Sequence, residues 1–400
     1  AETYALEHDL PFINKSTETE EGTLIIPDNN TSIWDEGAAE EIVPEGDLYI
    51  VSNAAQLAWI GEQTNAGNDF SGKKVVLTAD IDLDSQEWTP IGDNNTPFRG
   101  SFDGRNHTIS NLKVTDSDYA GLFGVLSSKT ATQILTISNL NITNVQIENA
   151  AAGGALAGYI RTYKGADVKV ENCTVSGNVS AKQAGGLAGN ILGGYYNSEI
   201  RIADISSRVN VDMSGTSASG GGVAGRIICE AESENDDGSV YVTDCKYNGS
   251  ISGRSAWIGG IAGYVENENQ GELVIQHCRA EGKLSFSSTG SAGGVVGELT
   301  GTNAKVISCV NYATVAGSNY YSGGIAGRCM FGGFIDQCCN EGIIQNGITG
   351  GDAGGIAGWL QDGEIHNSYN LGAILKGTGT VSYVGGITGN NFGRLVNCYN

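Results

Sequence analysis

Four histidines, His8, His107, His277 and His366, are all that this 400-residue chain offers as imidazole ligands or neutral-pH bases. None stands in His-Glu-x-x-His, the spacing that sets two imidazoles on one zinc ion with a glutamate as base. There is no G-x-S-x-G elbow for a serine nucleophile. No Lys-Ser/Thr follows the glycine-rich segments, as a phosphate loop requires. Carboxylates are the richer candidates. Glycoside cleavage needs two carboxyls at a set separation; Asp80, Asp82 and Asp84 alternate along a strand-like segment, and Asp103 opens an Asp-Gly turn. A solvated strand face explains the same spacing. The loop CEAESENDDGSV gathers Glu230, Glu232, Glu234, Asp236 and Asp237. It could hold calcium weakly, but it reads more simply as a solvated acidic loop, because the G-G-x-G-x-D calcium nonapeptide is absent.

The nine cysteines are an odd number. Six share one repeat position, Cys173, Cys245, Cys278, Cys309, Cys338 and Cys398, with Ser207 and Ser368 filling it in two units and Leu140 in the earliest. A Leu/Ser/Cys column describes an inward slot, so the thiols read as a reduced ladder of small hydrophobes. Disulfides between neighbouring rungs are the alternative. Zinc would want Cys-x2–4-Cys pairs with histidine, and none is present, so no metal or cofactor is expected. Asn311, Asn340, Asn370 and Asn400 stand two residues beyond this column, where stacked amides can bond along the axis.

These positions belong to an internal repeat. A Gly-Gly-aliphatic-Ala-Gly pentapeptide or a variant ends at Gly124, Gly158, Gly189, Gly225, Gly263, Gly297, Gly327, Gly358 and Gly389, at steps of 30 to 38 residues. Between copies lie segments such as ENCTVSGNV and QHCRAEGKL, whose alternation is that of strands. Proline ends at Pro97, which suits continuous sheet. One unit cannot bury its aliphatic residues, whereas stacked units can. The expected fold is therefore all-β: a right-handed parallel β-helix with about three strands per rung, its nine rungs making a rod about 43 Å long. Aliphatic–Gly–aliphatic should point inward, the glycine making room for a side chain from another wall. The residues flanking the last glycine should point outward, giving a flat alanine track beside a varied column.

Three segments follow: an acidic extended leader (1–46), an N-terminal cap with the first strands (47–119) and the repeats (120–400), continuous with the cap. Residues 1–50 hold 13 Asp/Glu against one Lys, about half of the net charge of −23. Such a surface disfavours nucleic acid and anionic membrane, and no apolar run is long enough to cross a bilayer. The chain opens at Ala1 with no basic n-region, so any export signal is expected to have been removed or never to have existed. In LYIVSNAAQLAWIGEQTNA, a strand should precede a short helix capped by Asn53 or Ser52, its Ala54, Leu57 and Ile60 covering the end of the rod.

QLAWIGEQTNAGNDFSGKKVVLTADIDLDSQEWTPIG, FRGSFDGRNHTISNLKV and the GGIAG segments resemble bacterial surface proteins with GLUG-motif repeats. SIWDEG at 32–37 is similar to leaders of gut Bacteroidetes proteins. Such repeats occur in adhesin-like exported proteins and in non-catalytic regions of immunoglobulin A1-specific metallopeptidases. The resemblance covers roughly 32–400. It implies a parallel β-helix in a secreted or cell-surface protein and supplies no catalytic residue. The expected role is non-catalytic adhesion to an extracellular glycan or a host or bacterial surface protein; the alternative is a polysaccharide lyase or glycoside hydrolase on a β-helix. Tyr159, Arg226, Tyr264, Arg328 and Trp359 share the outward register beside the last glycine, and aromatic faces with arginine donors suit sugar rings or extended chains. A monomer is expected; end-to-end contact through the last rung is the alternative.

Overall fold

Strand pairing turns the repeat into a coil. The computed structural model describes residues 32–33, 39–129, 134–213, 216–231, 236–287, 289–316, 320–345, 351–375 and 383–400. Most of the acidic leader, SIWDEG beyond Ile33 included, lies outside them. Ser32–Asn400 forms one compact unit, a parallel β-solenoid of about nine turns with very little helix. Every pairing between its strands is parallel and joins one turn to the next.

A turn is divided more finely than three strands. Ala304–Ile307, Val310–Asn311, Thr314–Ala316, Tyr321–Gly323 and Ala326–Met330 make one circuit. Each belongs to its own ladder, here numbered first to fifth. Elsewhere the first four fuse into one bent strand, as in Ile134–Gly153, whose register shifts mark the corners. Ladders begin before the pentapeptides: Leu48–Val51 pairs with Lys74–Leu77, and that strand with Ser101–Asp103, in the first ladder. Part of the leader joins too, since Ser32–Ile33 pairs with Ile81–Asp82 and Ile42 is buried.

The bend between the first and second ladders has a chemical signature. Asn139, Asn172, Asp204, Asp244, His277, Ser308, Gln337, Asn367 and Asn397 all take φ between 45 and 55° there. Left-handed backbone is least unfavourable for Asn and Asp, which explains Asn or Asp ahead of the cysteine column in several units. The residue after this bend points inward. The column therefore runs Leu140, Cys173, Ile205, then on through Cys245, Cys278 and Cys309. Ser207 does not belong to it: Ser207 pairs with Val175 and Tyr247 in the next inward column, the one that becomes Asn311, Asn340 and Asn370. Positions two apart share a face, so both columns look alike by alternation, and only the left-handed residue fixes the count.

The helix spans Ala54–Asn65, and the Asn53 side chain accepts from the Gln56 N–H at 2.8 Å. Leu57 and Ile60 are fully buried. Next to it, aromatic rings replace aliphatic stacking: Tyr49, Phe70, Phe98, Phe123 and Phe102 touch in sequence with centroids 5.0 to 5.8 Å apart. All nine cysteines are free thiols, and all but Cys398 are buried.

Candidate functional site at the glycine corner

The pentapeptide makes the sharpest bend, between the fourth and fifth ladders. The Ile325 and Ala326 N–H groups both donate to the Ile356 carbonyl, at 2.8 and 2.9 Å, and Ile356 and Ala357 do the same to Ile387. Sharing one acceptor points two successive residues inward. The alanine track expected on the surface is therefore core: Ala157, Ala188, Ala224, Ala262, Ala326 and Ala357 are fully buried. The last glycine faces backbone, where a side chain from another wall was expected. A Cβ at Gly327 would lie 2.6 Å from the Gly297 carbonyl oxygen and 2.7 Å from the Ala292 nitrogen. Gly323, across the bend, would drive a Cβ into the Ala326 carbonyl. Two strands thus meet backbone to backbone.

Past this pinch, side chains of the two ladders meet. Tyr159, Arg226, Tyr264, Arg328 and Trp359 fall on one column, with Asn190 and Glu298 between them, as their shared register predicts. They are half-buried, because an opposing column that sequence reasoning missed leans on them: Tyr119, Ala152, Gln183, Ser219, Trp257, Ser291, Tyr321 and Asp352. Its signal was present, since each of the last seven stands two residues before a first glycine.

The columns interdigitate. Tyr159 stacks on Tyr119 at 5.8 Å, and Trp257 meets Tyr264 edge-on at 5.2 Å. Arg226 lies over Tyr264 and Arg328 over Tyr321, at 5.1 and 5.6 Å. Tyr321 packs on Trp359 at 4.6 Å. Glu298 is buried between the walls, accepting from Trp257 Nε1 at 2.6 Å and from Arg328 Nε at 2.8 Å, with a second Arg328 nitrogen on the same oxygen. Burial pushes the Tyr159 and Tyr264 phenols well above their usual range, with Glu230 adding to the first and Glu266 to the second. Burial also raises the Glu266 carboxyl.

Four buried polar atoms at this corner have no hydrogen-bond partner among the described residues: Arg161 Nε, Asn190 Oδ1, Ser219 Oγ and Trp359 Nε1. Buried polar groups are nearly always paired, so the corner presents both donors and acceptors beside aromatic edges.

The carboxylates singled out for catalysis sit elsewhere. Asp80 accepts from the Thr108 N–H at 2.8 Å and Asp82 from Asn111 Nδ2 at 2.6 Å. Asp84 has φ 51° and lies past the short strand Ile81–Asp82, so the three do not alternate on one strand. Asp103 bonds Asn139 and Lys74. Burial alone would raise its carboxyl, but the Asn139 amide, the Arg105 N–H and Lys74 hold it below the usual value. In the acidic loop Glu232 and Glu234 lie outside the described residues. Asp236 is buried, not solvated, and accepts from the Tyr196 N–H at 3.1 Å; Asp237 accepts from that of Asn197. Among the described residues no cluster of three or more His, Cys, Asp or Glu is placed to hold a metal, and no helix is long and apolar enough to cross a membrane.

No family model matches the chain. It is similar to Halomucin of Haloquadratum walsbyi, 26% identical over 504 residues, which takes in 88% of this chain and 5% of that protein. It is also similar to a candidate Gly-rich membrane protein of Evansella cellulosilytica, 33% identical over 114 residues, 28% of this chain and 13% of that one. The chain thus spans a small fraction of either relative. Among solved structures it resembles a candidate immunoglobulin A1 protease from Bacteroides ovatus, with TM-score 0.50, 21% identity and 84% of each chain covered. That likeness is one of fold.

Proposed function

We infer that this chain is part of a non-catalytic secreted or cell-surface protein whose solenoid presents the glycine corner to an extended extracellular ligand, a glycan or a partner protein segment. The observation that carries this reading is the line of half-exposed aromatic and arginine side chains, Tyr159, Arg226, Tyr264, Arg328 and Trp359, on one column over successive turns. Adjacent turns put equivalent positions about 4.8 Å apart, so one chain-like ligand could touch several turns, and weak contacts on one wall reinforce one another. The relatives' names, a mucin and a membrane protein, support a surface location. The neighbour's name as a protease supports no reaction here, since its likeness is in fold and folds host many functions.

The test is a glycan and mucin array followed by product analysis. Tyr264→Ala with Trp359→Ala should abolish binding of at least one array glycan or mucin that the unaltered chain binds, while far-UV circular dichroism stays strand-dominated. Undiminished binding of every one of them would exclude the corner. Substrate shortening that is lost in Asp82→Asn or Asp103→Asn would make the protein an enzyme.

A further inference from the structure

A second face lacks the aromatic and arginine side chains of the corner. On the third ladder, four successive turns enclose an open depression of about 420 Å³. Its floor is Ile147, Val179 and Val211, all buried. Its rim is a column of exposed neutral hydrogen-bonding side chains, Gln146, Asn178, Asn210 and Ser250, in register. Asn210 Nδ2 donates to Asn178 Oδ1 at 3.2 Å, and the Ser250 hydroxyl donates to Asn210 Oδ1 at 2.9 Å. A parallel column carries Glu148 and Asp212, the latter accepting from Ser252 Oγ at 2.9 Å. The first of these turns is bulged: the strand Ile134–Gly153 shifts register on both sides of Gln146 and Ile147, at left-handed Asn144 and Asn149, and such bulges bend a strand.

We propose that this depression binds an uncharged, hydroxyl-rich polysaccharide chain lying along the solenoid axis. Charge selects the occupant. The lining holds two carboxylates and no lysine or arginine, so an acidic glycan meets repulsion, whereas carboxylates and amides accept from and donate to vicinal hydroxyls. Fixed amides about 4.8 Å apart offer alternating donors and acceptors along the chain. A protein partner is disfavoured on two grounds. The backbone groups of this wall are taken by the neighbouring turns, which leaves no edge for an added strand. The rim also offers no aromatic or arginine anchor of the kind that dominates protein interfaces.

The experiment is calorimetry with cellohexaose, mannohexaose and xylohexaose, and hexagalacturonate as the acidic counterpart. At least one neutral hexasaccharide should bind. Asn178→Ala with Asn210→Ala should weaken it tenfold or more at an unchanged melting midpoint. Asn210→Asp, which keeps the shape and adds charge, should weaken it as well. Trp359→Ala should leave affinity within twofold, which separates this face from the corner. The proposal is overturned if no neutral hexasaccharide binds, if hexagalacturonate binds as tightly, if both amide variants retain affinity, or if Trp359→Ala alone removes it.

Discussion

The buried thiols show how burial alone decides chemistry. Desolvation pushes Cys173 and Cys329 up to about 12, and Cys245, Cys278 and Cys309 also lie well above their ordinary value. The thiolate is the reactive form, so these cysteines stay inert at neutral pH. A thiol reagent at pH 8 should label few of the nine natively and all nine in denaturant; mass spectrometry finding disulfides among Cys245, Cys278, Cys309 and Cys338 would contradict this. The same shifts set the alkaline limit. In the unfolded chain these thiols ionise near 9, in the folded chain only at much higher pH. Below about 9 both states hold the proton and the stabilisation is complete. Above it the unfolded state loses protons that the folded state keeps, so stability falls, by up to about 1.4 kcal/mol per pH unit for each such thiol. Denaturation midpoints should decline steeply from pH 9 to 11, and less so when Cys278 and Cys309 are both replaced by alanine.

At the scale of elements, the corner and the amide column make separable predictions. Gly327→Val places a branched side chain against the Gly297 and Ala292 backbone, which cannot swing aside as a side chain could. A loss of about 3 kcal/mol is expected in denaturant unfolding; an unchanged midpoint would mean that the two strands do not meet there. Asn340 is fully buried, accepts from Asn311 Nδ2 at 2.7 Å and donates to Asn370 Oδ1 at 2.6 Å and to the Gly342 carbonyl at 3.1 Å. Asn340→Ala removes one hydrogen bond from each neighbouring amide, Asn311 keeping Ala313 and Asn370 keeping Gly372 as partners, at about 1–3 kcal/mol in all. Cutting Asn311 and Asn340 together should cost less than the sum of the single changes, because they share a bond. The amide column was legible in the sequence as a position. So were its bonds from turn to turn; the bonds that each amide also makes to the carbonyl two residues on were not, because they depend on the bend after it. The corner was half legible: the register of Tyr159, Arg226, Tyr264, Arg328 and Trp359 follows from the glycines, but the opposing column comes from a strand that only the bend brings near.

Across the whole solenoid each turn touches the turns beside it, so stability should be local. In the Asn340→Ala variant, amide exchange should quicken in Val310–Asn311, Cys339–Asn340 and Tyr369–Asn370, while Leu48–Val51 keeps its protection. Uniform acceleration would show a single cooperative unit. The sequence by itself determined the repeat, its parallel stacking, the helix after Asn53 and the inward thiols, since each follows from short-range periodicity, composition or capping. The tertiary structure alone decided that the pentapeptide alanines are core, that Ile205 and not Ser207 continues the cysteine column, and that Glu298 is buried between Trp257 and Arg328. Glu298 is buried because the bend brings the Trp257 column over it; the other two share one cause. A shared carbonyl or a left-handed residue shifts the inward parity by one, and that shift depends on hydrogen bonds to a neighbouring turn about thirty residues away along the chain.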